Sequence, residues 1–180
     1  MPPITMAFVV TGLAVFLQAM YFLGVGASAS AGKKSPILGV GYVSVIAGVI
    51  DLVVGVYITM GRPLDSDTDG TSSLLLAGLL SFYGMFFVAL GLTEILDLDL
   101  RVIGNMAIPT AILPLAWIHF FSGSTTFILI LIWWAITFLA IALTTYGKMQ
   151  GKVLGIILMI TSLLTFFLVP VAWALGITLS

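Results

Sequence analysis

The chain contains no cysteine, which excludes disulfides and thiol chemistry and leaves the redox compartment unreadable. It has a single histidine, so no metal cluster can be assembled from the usual His and Cys ligand spacings. No Ser/His/Asp set and no Glu-x-x-His set is present, and an intramembrane enzyme built on an activated nucleophile is not expected. Charge is scarce as well. Six Lys and Arg and seven Asp and Glu make up 7% of 180 residues, against about 25% in an ordinary soluble domain. That is too little to build a water-exposed surface or a nucleic-acid footprint, and neither a cofactor nor a nucleic-acid partner is expected.

What the chain has instead is apolar length: 61% of it is hydrophobic and the mean hydropathy is +1.28. Six stretches run almost unbroken by charge: Ile4 to Gly26, Pro36 to Met60, Ser73 to Thr93, Val102 to Phe120, Thr126 to Tyr146 and Val153 to Thr178. Each reaches the roughly 17–25 residues that cross a bilayer as a helix. The spans and their short loops use up residues 1–180. The expected fold is an all-α integral membrane protein, a single domain of six transmembrane helices forming one helical bundle per protomer.

The first stretch, followed by Ala29-Ser30-Ala31, imitates a signal peptide. It lacks a basic n-region and its apolar run is too long for one, so it is read as the first mature span. Lys33 and Lys34, Arg101, and Lys148 and Lys152 all fall in loops on one face of the bundle. The opposite face has Arg62 alone among Asp65, Asp67 and Asp69. Basic residues in short loops stay on the cytoplasmic side, which places both termini outside, in a plasma membrane, or the inner membrane if the cell is bacterial.

Two motifs fail on inspection. Gly32-Lys33-Lys34-Ser35 lacks the glycine spacing and the Lys-Ser/Thr step of a phosphate-binding loop. Asp65-Ser66-Asp67-Thr68-Asp69-Gly70 copies the first half of an EF-hand loop, but Leu76 stands where the bidentate Glu belongs. It reads as a solvated acidic turn.

A span that meets only lipid has no need of small and polar residues at helical spacing. Span two carries Gly41, Ser44, Gly48, Asp51 and Gly55, and span three Ala77, Ser81, Gly84, Val88 and Gly91. Span four has Asn105, Pro109, Ile112, Ala116 and His119; span five has Thr126, Ile130, Trp133, Thr137, Ala140 and Thr144. Span six has Gly155, Met159, Ser162, Phe166 and Trp173, while span one offers only Thr11 and Gln18. Such stripes serve helix packing, where small residues let backbones approach, and they equally suit the wall of a solute path. Asp51, Asn105, Trp133 and Thr137 are the groups that packing alone does not require, since each must find a partner away from lipid. Asp51 stands out, because an ionised carboxylate at mid-span costs roughly 2.5 to 3.5 kcal/mol on insertion scales. Its bland reading is a hydrogen-bonded tie between helices. Glu94 sits at the cytoplasmic end of span three beside Asp97, Asp99 and Arg101 and reads as a solvated cap. His119 ends span four alone.

Asp99-Leu100-Arg101 followed by Asn105, Pro109, Ala111, Ile112 and Leu113 resembles the span three to span four region of the AmiS/UreI family of urea and short-chain amide channels. Trp133-Trp134, the Gly151-Lys152 turn and Pro170-Val171-Ala172-Trp173 extend the likeness over most of the chain. The resemblance implies a homo-hexameric ring with one pore per protomer and aromatic constrictions that admit planar amides. It implies that Trp133 lines the pore from span five and that Phe82, Tyr83 and Phe87 supply aromatics from span three. Thr137 stands where the family has a second tryptophan, and Thr161 or Ser162 where it has a carboxylate, so the substrate is open.

The expected function is therefore a channel or facilitator for a small neutral polar solute, urea or a short-chain amide, passed downhill. Its expected path residues are Asp51, Phe82, Tyr83, Phe87, Asn105, Trp133, Thr137, Ser162 and Trp173. A proton-coupled transporter using Asp51 and a non-conducting membrane scaffold are the alternatives.

Overall fold

In a lipid-embedded helix, polarity does not separate the buried face from the outer one, because both are apolar; side-chain size does. The second helix shows this directly. Its outward face carries Tyr42, Ile46, Val49, Val53, Tyr57 and Met60, while Gly41, Ser44, Ala47, Gly48, Asp51 and Gly55 turn inward. Small residues allow close approach of backbones where lipid offers no hydrophobic drive to associate.

The computed structural model describes residues 4–27, 34–65 and 71–179. Lys33, the Ala29-Ser30-Ala31 segment and the acidic turn through Asp67 and Asp69 lie outside the described residues. The chain forms α1 (Ile4–Leu23), α2 (Pro36–Gly61), α3 (Ser72–Ile95), α4 (Arg101–Ile112), α5 (Thr125–Thr145), α6 (Gly151–Ile160) and α7 (Leu168–Ala174). A 3₁₀ turn, Leu113–Ile118, prolongs α4, and a π-helical stretch, Thr161–Phe167, joins α6 to α7. Counted as continuous rods, these are six helices long and apolar enough to cross a membrane. No strand occurs among the described residues.

Local chemistry explains the boundaries. Pro36 opens α2 at a position where its missing N–H costs nothing. Arg62 closes the helix in the left-handed region, φ 43°, with its N–H on the Ile58 carbonyl. In span four, Pro109 and Pro114 each remove a helical donor, and the rod tightens to 3₁₀ at Leu113.

The α2 and α3 helices make the most extensive contact in the molecule, and glycine creates it. A methyl carbon placed on Gly48 would sit 2.5 Å from the Gly84 carbonyl oxygen and 2.6 Å from the Val88 nitrogen. One on Gly41 would meet the Gly91 carbonyl oxygen at 2.9 Å, and one on Gly55 the Ser81 hydroxyl at 2.8 Å. The small-residue stripes of spans two and three thus face each other and form a backbone-to-backbone zipper. On the other side, α1 lies against α2, α6 and the π stretch, and Gly12 admits Phe166 and Phe167 at the last of these.

Candidate functional site

An elongated cavity of about 600 Å3 runs between the helices. Its lining extends from Ile4, Phe120 and Ser124 at one end of the bundle to Phe22, Leu100 and Thr145 at the other. Most of the wall comes from four rods. The α1 helix presents Ile4, Phe8, Thr11, Val15, Gln18 and Phe22, and α3 presents Leu76, Leu79, Tyr83, Phe86, Phe87, Leu90 and Glu94. The α5 helix adds Phe127, Ile130, Trp134, Thr137, Phe138 and Ile141; span six adds Leu158, Thr161, Phe166 and Trp173. These sets step by three or four residues, one face of each helix, except within the π stretch. There the i to i+5 bonding of a π turn puts Thr161 and Phe166, five apart, on the same wall.

Across its width the cavity is crossed by interlocked rings. Trp134 stacks on Phe166, with centroids 4.8 Å apart and planes at 15°, and meets Tyr83 edge-on at 5.1 Å. Tyr83 stacks on Phe138 at 5.5 Å, and Phe8 touches Trp134, Phe166 and Trp173 at about 6 Å. The Trp134 indole N–H donates to Thr165 Oγ1 at 2.8 Å. That bond fixes the ring and leaves its faces, not its donor, for the cavity. Offset and edge-on pairs are the favoured arrangements for aromatic quadrupoles, so these rings form stiff, flat walls.

Beside the rings lie two polar pairs. Thr11 Oγ1 donates to Asp51 Oδ2 at 2.8 Å, and Gln18 Nε2 donates to Glu94 Oε1 at 2.7 Å. Gln18 Nε2 also reaches Ser44 Oγ at 3.3 Å. Asp51 is 1% exposed and Glu94 6%; both line the cavity. Asp51 Oδ1 and Glu94 Oε2 have no hydrogen-bond partner. Both atoms are themselves buried, and a polar atom left unpaired in that way carries a desolvation cost of about 1–3 kcal/mol. Glu94 was expected as a solvated cap. It is instead turned inward, where Gln18 from α1 holds it, while Arg101 in the adjoining turn pairs with Asp99 through hydrogen bonds as short as 2.5 Å. Those hydrogen bonds hold the exposed Asp99 carboxyl well below the usual carboxylate range, at about 2.

Of the nine path residues expected from sequence, Asp51, Tyr83, Phe87, Thr137 and Trp173 line the cavity, and Phe82, Asn105, Trp133 and Ser162 do not. Asn105 is exposed on the outside of α4, where Tyr146 donates its hydroxyl to the Asn105 Oδ1. Trp133 stands one residue, about 100° of helix, away from the wall and donates to Thr161 Oγ1 at 2.9 Å. Its neighbour Trp134 takes the cavity position. Ser162 is fully buried, but its hydroxyl donates to the Gly12 carbonyl at 3.0 Å and ties span six to α1. The π turn accounts for this, since it breaks the α-helical stripe on which Ser162 was placed. Phe82 is half-buried and touches Tyr83 edge-on at 6.4 Å.

Sequence reasoning missed Trp134, Phe138, Phe86 and Phe8, which are large, apolar and indistinguishable in type from lipid-facing residues. Thr137 and Thr161 approach to 2.9 Å, yet each hydroxyl also contacts a carbonyl of its own helix, Trp133 and Ile157. Two hydroxyl protons cannot fill all three of these contacts at once.

No family model and no curated protein matches the chain. Among solved structures, the urea channel of Helicobacter pylori, determined by cryo-electron microscopy in a closed state, superposes with a TM-score of 0.75. The two share 15% sequence identity over 98% of this chain and 97% of that one. This chain therefore shares the fold of that channel over nearly all of its length, and the AmiS/UreI-like architecture expected from sequence is met at the level of fold.

Proposed function

We propose that this protein is a membrane channel or facilitator that passes urea or a short-chain amide downhill, without a coupling ion. One observation carries the reading: a cavity reaching from one end of the bundle to the other, walled by fixed aromatic faces and interrupted by a few hydrogen-bonding groups. Selection in such a pore rests on diameter and on the donors and acceptors along it. A flat neutral amide suits a path along ring faces and needs only its water partners replaced. The fold shared with a urea channel supports the same reading. In this reading both termini face outward, on the asymmetry of basic residues. Assembly into a hexamer with one path per protomer, in a plasma membrane, belongs to this proposal on the family resemblance.

Purified protein in liposomes, challenged by stopped flow with urea, acetamide, formamide and glycerol gradients, tests it. Flux linear in the gradient and faster for amides than for glycerol is expected. Saturable uptake driven by a proton gradient favours a coupled transporter centred on Asp51, whose unpaired oxygen is the observation behind that second reading. Absence of any flux leaves a scaffold.

A further inference from the structure

Two buried carboxyl groups at one apolar cavity, each with one oxygen held and one oxygen free, are more than helix packing needs. Here the bonded oxygens, Asp51 Oδ2 and Glu94 Oε1, are fixed by Thr11 and Gln18 from α1, and the other two are buried without a partner, just beneath the surface of residues that line the lumen. The glycine zipper lets them in. A methyl carbon on Gly84 would lie 3.0 Å from Asp51 Cβ, and one on Gly41 would lie 3.1 Å from Glu94 Cβ. Thr11 and Gln18 are seven residues apart on a single helix, which separates the two pairs by about 10 Å along the α1 axis.

We propose that Asp51 Oδ1 and Glu94 Oε2 are two successive docking points for the N–H groups of a permeating solute, making the path selective for amides over polyols of similar size. This rests on the channel reading above. Each point offers an acceptor that no protein donor reaches, whereas the Thr137 and Thr161 hydroxyls on the same wall are already engaged with each other and with their own helices. An amide brings two N–H donors in a plane, so one NH2 group engages a carboxyl oxygen while the flat face of the molecule lies along a ring. The spacing suits a hand-over, since conduction needs binding favourable enough to enter and divided over several sites so that the solute leaves. A polyol also brings O–H donors, but on a tetrahedral carbon chain that is thicker than a planar amide and cannot lie flat along a ring while it donates.

The test compares wild type with two paired variants, Thr11→Val with Asp51→Leu, and Gln18→Met with Glu94→Met. Removing both partners of each bond leaves no orphaned group behind, a change that is close to neutral for stability when shape is kept. In liposomes, the ratio of urea to glycerol flux is expected to fall about tenfold in each paired variant, the scale of one lost hydrogen bond to a strong acceptor. An unchanged ratio in both, with the proteins conducting, overturns the docking points and leaves the channel reading standing. A wild type that passes neither urea nor formamide overturns the channel reading itself. Should the variants fail to fold, infrared difference spectra of the wild-type carboxyl bands decide: a shift on adding 13C-urea is expected, and no shift overturns the proposal.

Discussion

The α2–α3 contact and the lumen occupy adjoining faces of the same helix, α3, and are built by opposite means. Toward α2 it turns Ala77, Ser81, Gly84 and Gly91, and backbone meets backbone. About 100° around the helix it turns Leu76, Tyr83, Phe87 and Leu90, and side chains hold the neighbouring helices apart. Small residues in a membrane protein mark where space is closed, and large rigid ones mark where it is kept open. The aromatic side cannot collapse, because its rings already brace one another and because Trp133, Trp134 and Thr137 are tied to span six by hydrogen bonds.

The largest effect expected from this contrast is at Gly48. A Gly-to-Ala change inside a helix gains about 1 kcal/mol of helix propensity. The Cβ at Gly48 collides with backbone atoms that have no rotamer to change, and overpacking of that kind costs typically 1–3 kcal/mol. Gly48→Ala is expected to lower the thermal unfolding midpoint in detergent, and Gly48→Leu to abolish recovery of folded protein. Gly39, on the same helix, faces open space, and Gly39→Ala should leave the midpoint unchanged or raise it. Equal behaviour at the two glycines would remove the zipper from the comparison.

Next in size is the tryptophan pair, which tests the lumen side. Trp134→Ala removes a ring from the cavity wall and should raise glycerol flux relative to urea on the order of tenfold, about 1.4 kcal/mol of lost discrimination. Trp133→Ala breaks a bond to Thr161 behind the wall and should change that ratio much less. A larger shift from Trp133 than from Trp134 would place the constriction where the sequence alone put it.

Those two tryptophans show how far the sequence could be read. Six spans were legible because length and apolarity are properties of single helices. The polar member of each lumen face was legible in part: Asp51, Thr137, Thr11 and Gln18 have no business in lipid, and all four reach the cavity. The rotational phase of the apolar faces was not, because Trp133 and Trp134 are chemically alike and only the partners decide which turns inward. Spans two and three were read by their small residues, which proved to face each other. Ser162 was misplaced for a different reason: seven residues of π-helix shift the phase of span six, and Pro170, which ends the donor series beyond it, signals the irregularity without specifying its direction. Glu94 was misread because a carboxylate near a helix end is normally solvated; its burial depends on Gln18, 76 positions away.

A smaller effect is expected at Asp51, the residue where zipper and lumen meet. Asp51→Asn keeps an oxygen able to accept from Thr11 or from a solute, and keeps the volume beside Gly84. Most of the downhill urea flux should survive, with folding and assembly intact. Loss of transport in a well-folded Asp51→Asn protein, together with wild-type uptake that follows a proton gradient, would turn the lumen from a passive path into a coupled one.

The smallest expected effect is none at all, and it is informative because of where it falls. His119 is exposed just past the 3₁₀ turn that ends span four, away from the zipper and absent from the cavity wall. A gate worked by acid through histidine needs several such groups near the mouth, since histidine is the side chain whose ordinary pKa allows a charge change in mildly acidic surroundings. This chain has one. Among the described residues, the ionisable ones that line the lumen are Asp51, Glu94, Tyr21 and Tyr83, with Arg62 and Asp65 paired near the end where α2 stops. If control of the path resides in its walls, urea flux through His119→Ala liposomes should follow wild type at every pH between about 5 and 7.5, whatever shape that profile takes. A pH response present in wild type and lost in His119→Ala would move control out of the lumen to a single surface residue. The contrast between a closed packing face and an open aromatic face would then describe how the path is built without describing how it is opened.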